Sequence, residues 1–130
     1  MAVHRELGCG FLEAVYQHAL SVELCHRRVP FRREVYLPIT YRGERLPLPY
    51  RVDFLCYDCV LVEVKALPAI ASVELAQMIN YLRASNHPRG LVLNFGSRSL
   101  QIRSVAGSHR PEPEGRGNLS CGVRPTDKQA

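Results

Sequence analysis

Two runs decide the fold: Tyr50-Arg51-Val52-Asp53-Phe54-Leu55-Cys56 and Val60-Leu61-Val62-Glu63-Val64-Lys65-Ala66, joined by the short link Tyr57-Asp58-Cys59. Both are rich in β-branched, aromatic and other apolar residues, and they read as neighbouring strands of a hairpin. Alternation puts Val62 and Val64 on one face of the second strand and Glu63 and Lys65 together on the other. A carboxylate and an ammonium inside an apolar strand are costly to bury unless partners or a task compensate them. Asp53, flanked by Val52 and Phe54, puts a second acid in an apolar setting. Whether the acids meet depends on register. A two-residue turn at Tyr57-Asp58 would set Asp53 opposite Val62 and turn the carboxylates to opposite faces. A three-residue link would pair Cys56 with Val60 and set Asp53 opposite Glu63. Cross-strand neighbours have Cβ atoms about 5 Å apart, where two carboxylates repel unless a cation lies between them. A metal site here requires the odd-numbered link or an equivalent bulge, and Asp58 tolerates the left-handed conformation such links use.

Outward from the hairpin, Phe11 to about Arg28 carries apolar residues at helical spacing, and Val29-Pro30 ends it. Arg33 to Arg42 alternates as a strand, with Val35, Leu37, Ile39 and Tyr41 on one side and a turn at Arg42-Gly43-Glu44. Ser72 to Ala84 reads as a second helix with Ser72 as N-cap. The wholly apolar Leu91 to Phe95 reads as a buried strand, followed by a last strand over Leu100 to Val105. The expected order is α-β-β-β-α-β-β, an α/β domain with a small mixed sheet flanked by helices over residues 1–106. Residues 107–130, rich in Gly, Pro and Arg, are expected to be a disordered tail.

The 130 residues carry a net charge of +5, of which the 1–106 segment keeps +4, so the basic balance belongs to the domain. It permits a polyanionic partner without requiring one. No run approaches a membrane span and no signal-peptide core is visible, so a cytoplasmic protein without a membrane partner is expected. Five cysteines without such a signal favour reduced thiols. Cys56 and Cys59 form a Cys-x-x-Cys, but structural zinc wants four ligands and no second pair follows. Arg27, Arg28, Arg32 and Arg33 cluster near the end of the first helix, as a solvated charge run or as phosphate contacts.

The cations are unevenly chosen. Of seventeen basic residues fifteen are Arg, and the only lysines are Lys65 and Lys128. The sole lysine of the domain thus stands beside Glu63, and Arg and Lys are not interchangeable where a compact point charge is needed. Hard divalent cations commonly bind one or two carboxylates with substrate phosphate completing the shell. The plain alternative is an exposed strand face with an ordinary Glu–Lys pair.

Asp53, nine intervening residues and then Glu63-Val64-Lys65 resemble the PD-(D/E)XK nuclease signature, and Gly10-Phe11-Leu12-Glu13-Ala14-Val15-Tyr16 resembles the motif of the GxxExxY protein family within that superfamily. The resemblance runs from about His4 through Asn94-Phe95-Gly96-Ser97 to about Val105. It implies a restriction-endonuclease-like core performing Mg²⁺-dependent hydrolysis of phosphodiester bonds in DNA, with Mn²⁺ as an alternative ion. Asp53 and Glu63 would be metal ligands with Glu13 as a further acid, and Lys65 the catalytic lysine. Gln77 and Tyr81, four apart on the second helix, resemble the Gln-xxx-Tyr motif of RecB-like nucleases, with Gln77 assisting catalysis. Each has a plainer reading: Glu13 a solvated helical acid, Tyr16 a core aromatic, Gln77 a surface amide. Relatives carry a helix ahead of the His4-Arg5-Glu6-Leu7-Gly8 segment for which this chain leaves three residues, and usually a proline at the Cys9 position. Two other functions fit the same residues. One is a catalytically silent module of this fold that binds nucleic acid or a protein, with a homodimer or protein partner completing its grip. The other is a small interaction domain whose strand acids lie on the surface.

Overall fold

The computed structural model describes residues 1–108, so all but the first two residues of the expected 107–130 tail lie outside the described residues. Ten elements follow one another: α1 (Ala2–Leu7), α2 (Glu13–His26), β1 (Phe31–Leu37), β2 (Thr40–Tyr41), β3 (Glu44–Arg45), β4 (Tyr50–Cys56), β5 (Val60–Lys65), α3 (Ser72–Ser85), β6 (Arg89–Asn94) and β7 (Gln101–Ala106). Five strands form one sheet in the order β1-β4-β5-β6-β7. Only β5 and β6 run parallel. Parallel neighbours need a long crossover, and α3 supplies it. The mixed sheet flanked by helices has the expected order α-β-β-β-α-β-β, with two additions.

The first addition is α1. With apolar residues only at Ala2, Val3 and Leu7, it is too short to show a periodicity and too short to be stable alone. Tertiary contacts hold it: Val3 is buried, and His4 Nε2 lies 3.0 Å from the Ser97 carbonyl. The second is a correction. The strand expected over 33–42 ends at Leu37, because Pro38 has no N–H to give a ladder. Thr40-Tyr41 then pairs with Glu44-Arg45 in a separate tight hairpin, whose turn puts Arg42 at φ 50° and Gly43 at φ 79°. At α3 the cap is Ala71 and not Ser72, and the Glu74 carboxylate accepts the Ala71 N–H at 2.9 Å.

Each face of the sheet has its own apolar cluster. Val62, Val64, Phe54 and Phe31 pack with Tyr16 and Leu20 of α2, while Val52, Leu37, Leu61 and Val92 pack with Met78, Tyr81 and Leu82 of α3. Tyr16 is fully buried and stacks on Phe95 with centroids 4.9 Å apart. Its hydroxyl donates to the Gly8 carbonyl at 2.6 Å and accepts the Phe11 N–H at 3.2 Å, fixing the loop in which Gly10 takes φ 113°. Among these readings Tyr16 is a core aromatic with a structural hydroxyl.

Asn94 is the other buried polar anchor. Its Oδ1 accepts the Leu67 N–H at 2.8 Å and the Gly96 N–H at 3.1 Å, and its Nδ2 donates to the Leu67 carbonyl at 2.9 Å. The register sets Asn94 beside Lys65, so these bonds fix the chain where it leaves β5. Asn94→Ala strands several buried backbone groups and is expected to cost about 3 kcal/mol, read from the urea midpoint.

Cys56 is a free, buried thiol pushed up to about 11 by burial. No helix among the described residues is long and apolar enough to cross a membrane.

Candidate active site

The hairpin takes the three-residue link. Tyr57 and Asp58 both adopt φ 54°, Cys56 lies opposite Val60 and Phe54 opposite Val62. Continued by one residue, this register brings Asp53 opposite Glu63. Here side chains replace the backbone ladder. The Asp53 N–H donates to Glu63 Oε1 at 2.9 Å, and the Val64 N–H donates to Asp53 Oδ2 at 2.8 Å. Each acid is thereby fastened to the other's strand.

The same level carries a break in the face alternation. Val52 packs with α3 but Phe54 with α2, although both are even-numbered. On β1, Phe31 packs with α2 but Val35 and Leu37 with α3. Between them Glu34, level with Asp53 in the register, has φ 51°, an uncommon conformation for a residue with a side chain. Both strands turn over together, and the sheet opens beside Asp53. Plain period-two alternation does not reveal this.

The acids are held against their charge. Glu63 is 6% exposed, and its carboxyl is pushed up to about 8, first by burial and next by the Asp53 charge, despite the Asp53 N–H and Lys65. Burial also raises Asp53, and the Val64 N–H, Lys65, a Gln17 hydrogen bond and Arg51 only partly offset it. Glu13 is largely exposed, yet partial burial and the Asp53 charge raise it while Lys65 lowers it. Three carboxyls therefore share one electrostatic neighbourhood. Lys65 Nζ lies 3.9 Å from Glu63 Oε2.

The remaining expected residues sit around this centre. The Tyr81 hydroxyl is pushed up to about 12 by burial and then by the Glu63 and Asp53 charges, so it feels the field of the acids. Gln77, one turn earlier on α3, is half-buried and makes no hydrogen bond to them among the described residues. Gln17 was not singled out by its sequence, although its position one helical turn after Glu13 puts both on the same face of α2.

As they stand, no three His, Cys, Asp or Glu side chains among the described residues are grouped to hold an ion. Both inner carboxylates are turned onto backbone N–H groups. The donor set nevertheless fits a hard divalent cation: it consists of oxygen ligands, two of them cross-strand, with anionic forms that burial and mutual repulsion disfavour.

A family model of the PD-(D/E)XK nuclease superfamily matches residues 1–105. The chain belongs to that superfamily. Members of the PD-(D/E)XK superfamily are typically nucleases and generally use divalent metals, and the mixed sheet with its helices agrees with their restriction-endonuclease-like fold. Among solved structures the chain is similar to the crystal structure of SSO0001, with a TM-score of 0.59 at 13% identity. That match covers 73% of this chain and 50% of the other, so the chain spans about half the length of that structure and the likeness concerns the fold. No curated protein matches the chain.

Proposed function

We propose that this protein is a metal-dependent nuclease that hydrolyses phosphodiester bonds in DNA, with Mg²⁺ as the working ion and Mn²⁺ as an alternative. The observation that carries the reading is the cross-strand meeting of Asp53 and Glu63, each fastened to the other's strand, with Lys65 at 3.9 Å from Glu63. Asp53 and Glu63 would hold the ion, with Glu13 as a third acid. When bound, such an ion lowers the pKa of bound water and offsets charge on the phosphate. Lys65 brings a compact positive charge to the attacked phosphate and orients the water. Gln77, on the helix whose Tyr81 feels the acids, assists in positioning. The likeness of Gly10 to Tyr16 to the GxxExxY motif supports the placement of Glu13, since Tyr16 fixes the loop that starts α2. The setting is the cytoplasm, and a second copy or a protein partner extends the small domain's hold on DNA.

One observation favours the silent-module reading: both inner carboxylates are already occupied by N–H donors. Cleavage of plasmid and labelled oligonucleotides separates the two. The nuclease reading expects cleavage in Mg²⁺, none in chelator, and a loss of at least about a hundredfold in Asp53→Ala. Equal rates for wild type and variant, or no cleavage in any divalent metal, refute it and leave the binding module.

A further inference from the structure

A groove of about 560 Å³ lies between α2 and the edge strand β1, lined by Ser21, Val22, Cys25, His26, Phe31 and Arg33. Its α2 wall repeats at the three- and four-residue spacing of one helix face, and Phe31 is its buried floor. No carboxylate lines it. The ion pairs among the described residues engage Arg27 with Glu23, Arg32 with Asp58 and Lys65 with Glu63, and none includes Arg33. The Arg33 guanidinium instead lies over the Phe54 ring at 5.5 Å, with Nη1 3.4 Å from His18 Nδ1. Its Nε is buried without a hydrogen-bond partner. A half-buried cation with an orphaned donor and no counter-ion is a site for an anion.

Its location says which anion. Arg33 stands opposite Phe54, the chain neighbour of Asp53, and His18, 3.4 Å from the Arg33 guanidinium, follows Gln17 on α2. The Arg33 end of the groove is thus one register step from Asp53 on β4. Its lining is mixed, with an apolar wall of Val22 and Phe31 beside a polar end that holds His26 and the Arg33 cation. A nucleotide offers both halves of that pattern, an apolar base and sugar joined to a phosphate.

We infer that this groove binds a nucleotide of the strand flanking the cleavage centre, with Arg33 as the anchor of its phosphate. The inference rests on the nucleic-acid reading of the site, but not on turnover. It is tested by binding alone: anisotropy of a fluorescein-labelled single-stranded DNA oligonucleotide, in chelator, across a series of KCl concentrations. Arg33→Gln is expected to bind roughly tenfold more weakly at low salt, and to flatten the slope of log K against log salt by about 0.7, the share of one phosphate contact on a single strand. Val22→Glu, on the exposed rim and outside the core, puts a carboxylate into the groove and should weaken binding at least as much. Arg27→Gln, whose cation is already held by Glu23, should stay within about twofold of wild type. Unchanged affinity and slope in both Arg33→Gln and Val22→Glu overturn the inference, as does a wild type that binds no oligonucleotide. A wild type that binds through Arg33 but never cleaves would sink the nuclease reading and leave this one standing.

Discussion

Lys65→Ala is expected to slow DNA cleavage by about a thousandfold while leaving oligonucleotide binding nearly unchanged. The Lys65 side chain is four-fifths buried and its Nζ lies 3.9 Å from Glu63 Oε2. A fixed charge in such a water-poor setting acts mainly on charge that develops in the transition state, where a single removed donor costs on the order of a hundred- to a thousandfold. The loss should therefore fall on kcat with KM little altered. Lys65→Arg should not restore the rate, because the planar guanidinium is longer and cannot present a point charge in the same place. The check is single-turnover cleavage of a labelled duplex and of a single strand. A Lys65→Ala rate within a few-fold of wild type would show that the lysine only balances Glu63.

Glu63→Gln is expected to make the metal-free protein more stable while abolishing cleavage. The Glu63 carboxyl rises from an ordinary 4.5 to about 8 in the folded chain, chiefly through burial and then the Asp53 charge. The folded state therefore holds a proton that the unfolded chain releases. This contribution to stability is fully present below pH 4.5, falls as the pH rises, and is gone above about pH 8. Glutamine has no charge to bury and keeps an oxygen able to accept the Asp53 N–H. At pH 9 the variant should exceed wild type by on the order of 3 kcal/mol, and at pH 4 the two should agree. Denaturant midpoints across that range measure it. A divalent cation should stabilise the wild type at high pH and leave the variant almost unmoved. A wild type whose stability rises from pH 5 to pH 8 would contradict the burial of this acid.

The hairpin was legible because side-chain alternation and loop length are local properties. The expected opposition of Glu63 and Lys65 to Val62 and Val64 follows from the pleat alone, and the odd link sets the cross-strand partner. The break at Glu34 and Asp53 was not legible, since it depends on two strands turning over together and on side chains replacing the ladder. The end of β1 is legible in Pro38, which removes a donor within the alternating run 33–42. The helix α1 had no signal of its own, because contacts from Val3 and His4 with distant residues stabilise it. Around the acids, Glu13 was found through a motif, whereas Gln17 needed the packing of α2 against the opened sheet. Arg33 looked like one more member of a surface charge run. Only its buried Nε and lack of a carboxylate partner distinguish it from Arg27 and Arg32.

The central claim is that Asp53 and Glu63 share a divalent cation. Soaking crystals of the protein in Mn²⁺ above pH 8, where Glu63 gives up its proton, tests it directly through anomalous scattering. One strong peak is expected between the two carboxylates, with the bonds from the Asp53 and Val64 N–H groups lengthened or lost. Saturating Mn²⁺ that leaves both bonds in place and no peak between Asp53 and Glu63 would contradict it.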